Sequence, residues 1–365
     1  MLISQLDYKG RRALVVGLVF SLFALAGLHP AVSEPKPDPN GLAVGPINVE
    51  ARIIDHFDKS RPDRRRFGKL EWRGGLVLGS PSSNFGGWSG LAIDPDGRRF
   101  VAVSDAGTWL TAEILYSGVR PTAVRGAKMG PLTASGARGS MRERDRDAEA
   151  VSLAEGTVSR GSLLISFERN HRIGRFKIGE HGVGPPLGYL KLPADARRMD
   201  KNLGFEAGAA IRGGPLKGSV IVFSERYPDG RGHHTGWIWV NGVAHKLHLT
   251  DTGGFDITDI TALPDGALLV LERRFRWTEG VKMRVRLVNA SDIAPGAVLE
   301  GESLIEADMG YEIDNMESLA AHRGPKGETV LTLTSDDNFN HLLQRTILLQ
   351  FTLLAGGMAK ATVPR

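Results

Sequence analysis

Asp147-Ala148-Glu149-Ala150-Val151, followed by the apolar run Leu163-Leu164-Ile165 and a stop at Glu168-Arg169, is the unit that decides the fold. A short acidic step leads into a strand, and a second strand ends abruptly on charge. The same cadence opens at Trp88-Ser89-Gly90-Leu91-Ala92, Gly204-Phe205-Glu206-Ala207, Asp256-Ile257-Thr258-Asp259-Ile260 and Asn315-Met316-Glu317-Ser318-Leu319. Its answering ends are Ser104-Asp105, Glu225-Arg226, Glu272-Arg273 and Asp336-Asp337. From Ser89 through Glu149, Glu206 and Asp259 to Glu317 the steps are 60, 57, 53 and 58 residues. Such spacing fits propeller blades of roughly 40 to 50 residues lengthened by loop insertions.

The content of each unit favours strands over helices. Phe100-Val101-Ala102-Val103, Val220-Ile221-Val222-Phe223 and Leu268-Leu269-Val270-Leu271 are continuous apolar runs, the pattern of strands buried on both faces by stacked blades. Asp94-Pro95-Asp96-Gly97 and Pro264-Asp265-Gly266 supply tight turns just before two of these runs. Residues 47–80 read as strands without a complete repeat, and residues 346–353 as one strong terminal strand. The expectation is an all-β chain forming a single β-propeller of four-stranded antiparallel blades. Six blades is the expected count, with five or seven open. Joining the N- and C-terminal strands into the sixth would remove two free sheet edges, which are aggregation liabilities.

With 365 residues, 41% hydrophobic and 24% charged, the chain has ample material for a core. The net charge of +5 is too weak a bias for nucleic acid, and no stacking-aromatic motif accompanies the basic runs. Clusters at residues 61–66 and 138–146 read as solvated loops. Lys9-Gly10-Arg11-Arg12, an uncharged stretch over residues 13–28 and Ala31-Val32-Ser33 fit the three parts of a secretory signal, with cleavage expected after Ser33 and an uncleaved membrane anchor or a buried helix as the alternatives. The stretch is short for a bilayer span, so no stable membrane span is expected after cleavage, and a periplasmic or secreted location follows. Residues 34–45 then form a Pro-rich extended tail, residues 46–357 the propeller and residues 358–365 a C-terminal tail. The absence of cysteine excludes disulfides, a thiol nucleophile and thiolate metal sites.

In a propeller, equivalent positions of the inner strands converge on the axis. Glu149, Glu206, Asp259 and Glu317 would therefore form a carboxylate ring, with Ser89 adding a hydroxyl. Carboxylates about 4 Å apart repel by about 4 kcal/mol at an effective dielectric of 20, so the ring requires a cation or arginines. Oxygen donors without cysteine or paired-histidine spacing favour a hard cation, calcium, with Glu149, Glu206, Asp259, Glu317 and Asp337 as candidate ligands. Arg169, Arg226 and Arg273 are candidate contacts for an anionic substrate. The Glu168-Arg169, Glu225-Arg226 and Glu272-Arg273 pairs also fit blade-locking salt bridges. Asp336 to Asn340 equally fits a turn closed by local side-chain bonds. Glu149, Glu317 and His171 are the candidate catalytic groups, His171 as general acid or base. His233-His234 diverge on a strand and read as a loop pair.

Several segments together resemble the phytase-like, or esterase-like, propeller family of exported bacterial proteins. They are Gly90-Leu91-Ala92-Ile93-Asp94-Pro95-Asp96-Gly97, Asp147-Ala148-Glu149-Ala150-Val151, Ser166-Phe167-Glu168-Arg169-Asn170, Asp314-Asn315-Met316-Glu317 and Ser335-Asp336-Asp337-Asn338. The resemblance spans residues 74–353 and implies a propeller, ester-hydrolysing activity and, from the name-giving phytases, calcium. Gly208 and Ser318 depart from the pattern, where a larger apolar residue and glycine are more usual. The functional expectation is an exported, calcium-assisted hydrolase of a phosphate monoester or related ester. The competing expectation is a non-catalytic propeller that binds a ligand or protein around a structural cation. No Gly-x-Ser-x-Gly elbow is present to support an α/β-hydrolase mechanism.

Overall fold

The computed structural model describes residues 36–134, 141–199 and 204–354. The secretory-signal reading of residues 1–33 and the C-terminal tail at 358–365 lie outside the described residues. Among those described, the only helical segments are short 3-10 turns, and the rest of the regular structure is strand.

Five sheets form five blades of one propeller. Their innermost strands are Trp88–Ile93, Ala148–Thr157, Phe205–Ala210, Asp256–Ala262 and Met316–Arg323, and each packs against the next around a closed ring. The apolar runs become the second strands Arg99–Ser104, Arg160–Phe167, Val220–Pro228, Leu268–Arg276 and Thr329–Ser335, antiparallel to the inner ones. Their central residues are buried on both faces, which explains runs with no polar alternation.

The expected sixth blade is not formed. The terminal strands do pair, with Leu70–Gly79 running antiparallel to Thr346–Leu353 from Leu78↔Thr346 to Leu70↔Leu353, but they complete the fifth blade. That repeat supplies Met316–Arg323, Thr329–Ser335 and Thr346–Leu353, and seven of the eight residues in the last are buried. Left as an edge, this strand would expose a flat apolar surface, and covering it with Leu70–Gly79 also closes the ring. Phe57 reinforces the seam, edge-on to Phe351 at 5.0 Å and stacked on Tyr311 at 5.1 Å between ring centres.

Near the axis the blades are joined by short polar bonds. Ser152 Oγ accepts from Ala210 N at 3.0 Å, Thr258 Oγ1 donates to Met316 O at 3.2 Å, and Ser318 Oγ donates to Trp88 O at 3.3 Å. A Cβ on Gly90 would meet Val151 N at 2.7 Å, so only glycine lets the first two inner strands approach so closely.

Candidate functional site: an acid-lined channel mouth

Each inner strand carries a β-bulge near its start, between Trp88 and Gly90, Ala148 and Val151, Phe205 and Ala207, Ile257 and Asp259, and Met316 and Ser318. The bulge breaks the alternation of side chains and re-aims one of them. In pairing register the re-aimed residues are Ser89, Glu149, Glu206, Thr258 and Glu317. Thr258, not Asp259, is thus the fourth blade's member of this tier. Asp259 lies one residue further on, only 1% exposed, accepting from Leu319 N at 2.7 Å and Ile260 N at 2.8 Å. It ties the fourth blade to the fifth.

A second tier lies on the second strands, one residue beyond the pair at the base of each bulge. Trp88↔Ser104, Ala148↔Phe167, Phe205↔Ser224, Ile257↔Glu272 and Met316↔Ser335 are equivalent pairs, so the next residues are Asp105, Glu168, Glu225, Arg273 and Asp336. Backbone bonds repeat the equivalence. Asp105 N, Glu168 N, Glu225 N and Asp336 N donate to the carbonyls of Gly87, Asp147, Gly204 and Asn315 at 2.9–3.1 Å. Those four residues, with Asp256, make a third tier.

The carboxylates crowd. Ligand oxygens of Asp147, Glu149 and Glu168 lie within 4.8 Å of one another, as do those of Glu168, Glu206 and Glu225. At that separation each ionised pair repels by about 3.5 kcal/mol at an effective dielectric of 20. Burial, with Glu206, Asp147 and Asp105 adding to it, pushes Glu149 well above the usual carboxylate range. Burial and then Glu225, Glu168 and Glu317 do the same to Glu206. Burial and Asp147 push Glu168 up to about 7, and burial pushes Asp105 up to about 6 against the opposing pull of Lys36. Asp336 is raised by burial, Glu317 and Asp105. Among the described residues no hydrogen-bond donor reaches the carboxylate of Glu149 or Glu206.

Four cations answer this charge. Lys36 places Nζ 2.9 Å from Asp105 Oδ2 and 2.8 Å from Asp147 Oδ1. Arg169 Nε is 2.8 Å from Asp147 Oδ2, and Arg226 is 2.6 Å from Asp256 Oδ2. Both guanidiniums are solvent-accessible, at 41% and 58% exposure of the side chain. Arg273 lies deeper, 2.7 Å from Glu317 Oε1 and bonded to Asn315 Oδ1, while Asn315 Nδ2 donates to Glu317 at 2.8 Å. Burial opposes the Arg273 charge, but Glu317, Glu206 and Glu225 outweigh it and raise its pKa.

The structure therefore brings together Glu149, Glu206, Glu317 and Arg273, with Arg169 and Arg226 at the rim. It sets Asp259 and Asp337 apart. Asp337 Oδ1 accepts from Gly87 N at 3.0 Å and Phe339 N at 3.1 Å, and Oδ2 accepts from Thr346 Oγ1 at 2.8 Å, so it closes a turn in which Asn338 and Phe339 have positive φ. Its neighbour Asp336 takes the channel position. His171 flanks the site: a Cβ on Gly204 would meet His171 Nδ1 at 2.5 Å and Glu168 Cγ at 2.9 Å. His171 Nε2 lies 3.2 Å from Met199 O, and its buried Nδ1 has no partner among the described residues. His233 sits in a turn, its Nδ1 3.2 Å from Asp229 Oδ2.

Sequence reasoning did not assign Asp105, Asp147, Glu168, Glu225, Asp336 or Lys36 to the site. All but Lys36 stand in the repeat motifs, and matching strand partners rather than residue types would have aligned them. The donor set fits a hard cation: it is oxygen-rich, acid-dominated and contains two carboxylates that no donor reaches among the described residues.

An all-β propeller with an acid-lined axial mouth is the class that fold and site define. The chain belongs to the phytase-like family, whose model, described as "Esterase-like activity of phytase", matches residues 83–339. That match begins before the first inner strand and ends in the turn held by Asp337, so it covers the acid-bearing repeats. Comparison with curated proteins finds no match. No helix among the described residues is long and apolar enough to cross a membrane.

Proposed function

We propose that the protein is an exported, calcium-assisted hydrolase of an anionic ester, with a phosphate monoester as the leading substrate class. The observation that carries this is the pair of carboxylate triads sharing Glu168, in which Glu149 and Glu206 accept no hydrogen bond among the described residues. Repulsion on this scale, without enough arginine to answer it, favours a divalent cation held by Asp147, Glu149, Glu168, Glu206 and Glu225. Once bound, such a cation polarises a substrate oxygen and lowers the pKa of a water. Arg169 and Arg226, exposed at the rim, can exchange their aspartate partners for the substrate's anionic group. Arg273, 2.7 Å from Glu317 Oε1, keeps positive charge near the axis. His171 Nδ1, beside Glu168, offers the lone pair that accepts the proton released by an attacking water. The charged, apolar and small-residue run before residue 34 supports export.

The test is turnover of phosphate monoesters, carboxylate esters and lactones by the protein with calcium or with chelator. Calcium-dependent hydrolysis that falls at least about 100-fold in Glu149→Gln and Glu206→Gln, without loss of folding, is the expected result. Calcium binding without turnover of any of these substrates would favour the binding propeller instead.

A further inference from the structure

Lys36 does not belong to the propeller repeats. It lies on the segment before the first complete blade, where Gly45–Pro46 pairs with Met129 and Lys128 on that blade's outermost strand. From this anchor the chain returns to the axis. Leu42 packs against the first blade's core, and Asp38 meets the largely buried Arg146 at 2.8 Å. Lys36 then inserts its ammonium between Asp105 and Asp147. Its side chain is 35% exposed, against 11% for Asp105, so the ammonium lies on the solvent side of that carboxylate. Glu149, whose carboxylate accepts no hydrogen bond among the described residues, is only 8% exposed.

We propose that Lys36 is a tethered counter-cation that guards the carboxylate site, occupying part of the space a divalent cation needs and leaving when that cation enters. The inference rests on the calcium reading above and adds a competitor to it. Asp147 is the point of conflict, since it belongs to the triad with Glu149 and Glu168 and also accepts from Lys36. An ammonium and a divalent cation sharing one carboxylate repel each other, whereas the flanking residues that carry Lys36 can shift without unfolding a blade. The Asp38–Arg146 pair sets how easily they do so. A tail that shields the acids in this way prevents their mutual repulsion from opening the mouth before metal is available.

The experiment uses the chain beginning at Glu34 and calcium alone as probe. Calorimetric titration of wild type and Lys36→Gln is combined with acylation of Lys36 by an amine reagent, followed by mass spectrometry. Lys36→Gln is expected to bind calcium about tenfold more tightly, and Asp38→Asn, which loosens the tail without touching the acids, to shift affinity the same way by less. Saturating calcium is expected to speed acylation of Lys36 in wild type. Equal or weaker calcium affinity in Lys36→Gln, or Lys36 labelling unaffected by calcium, would overturn the guard while leaving the metal site standing. Absence of binding in both proteins would overturn the guard and the calcium reading together.

Discussion

Blades two and four contain nearly the same words, Ser166-Phe167-Glu168-Arg169 and Val270-Leu271-Glu272-Arg273, and use them oppositely. In blade two, Phe167 pairs with Ala148, so Glu168 faces the channel and Arg169 lies at the surface. In blade four, Glu272 takes the register of Phe167, pairing with Ile257, and Arg273 becomes the channel residue. Glu272 is wholly buried between Arg284, at 2.7 Å, and Arg286. Side chains alternate along a strand, so a shift of one residue exchanges a buried lock for a site residue. One acid in blade two repels its neighbours, and the matching acid in blade four is surrounded by cations.

The difference is broken most forcefully at Glu272. Glu272→Ala leaves two buried guanidiniums uncompensated, and urea denaturation is expected to show a loss of about 3–5 kcal/mol. Next comes Asp259→Ala, which orphans the buried amides of Leu319 and Ile260. A loss of about 1–3 kcal/mol is expected, with calcium affinity unchanged in a titration, because Asp259 stands outside both triads. Glu168→Gln goes the other way, since it removes a repelling charge. Metal-free protein at pH 8 is expected to gain on the order of 1 kcal/mol after solvent screening, and a loss of stability instead would make Glu168 a structural acid like Glu272.

The smallest effect is a pH dependence. Glu168 is raised from 4.5 to about 7 and Asp105 from 3.8 to about 6, so the folded chain binds more protons than the unfolded one between about pH 4 and 7. Stability from these groups is present below that window and declines as pH rises through it. Asp58, lowered to about 2 by Ser60 and by the Arg61 amide despite burial, acts in the opposite sense at lower pH. Metal-free protein is therefore expected to melt at a lower temperature at pH 7.5 than at pH 4.5, with calcium cancelling the decline. A melting temperature that climbs steadily across this range without metal would contradict the crowding.

The blades were legible because their second strands, such as Val220-Ile221-Val222-Phe223, need burial on both faces and show it as unbroken apolar runs. The blade count was not, because Thr346–Leu353 and Leu70–Gly79 look like parts of a separate unit until the fifth repeat is seen to lack strands. Glu149, Glu206 and Glu317 were legible from their period. Asp259 was drawn into that ring because residue type was matched where pairing register places Thr258. Glu272 left a signal in Met283-Arg284-Val285-Arg286-Leu287: two arginines on one face of an otherwise apolar strand require a buried acid opposite. Lys36 left none, since its role depends on a tail folding back to the axis.

The central claim, that the channel acids of blades two and three form the cation site, is tested most directly by titrating calcium into wild type and Glu168→Gln side by side. Wild-type binding that weakens at least about 100-fold in the variant is the predicted result, because Glu168 is common to both triads. Equal affinity in the two proteins, or no binding to either at millimolar calcium, would contradict it.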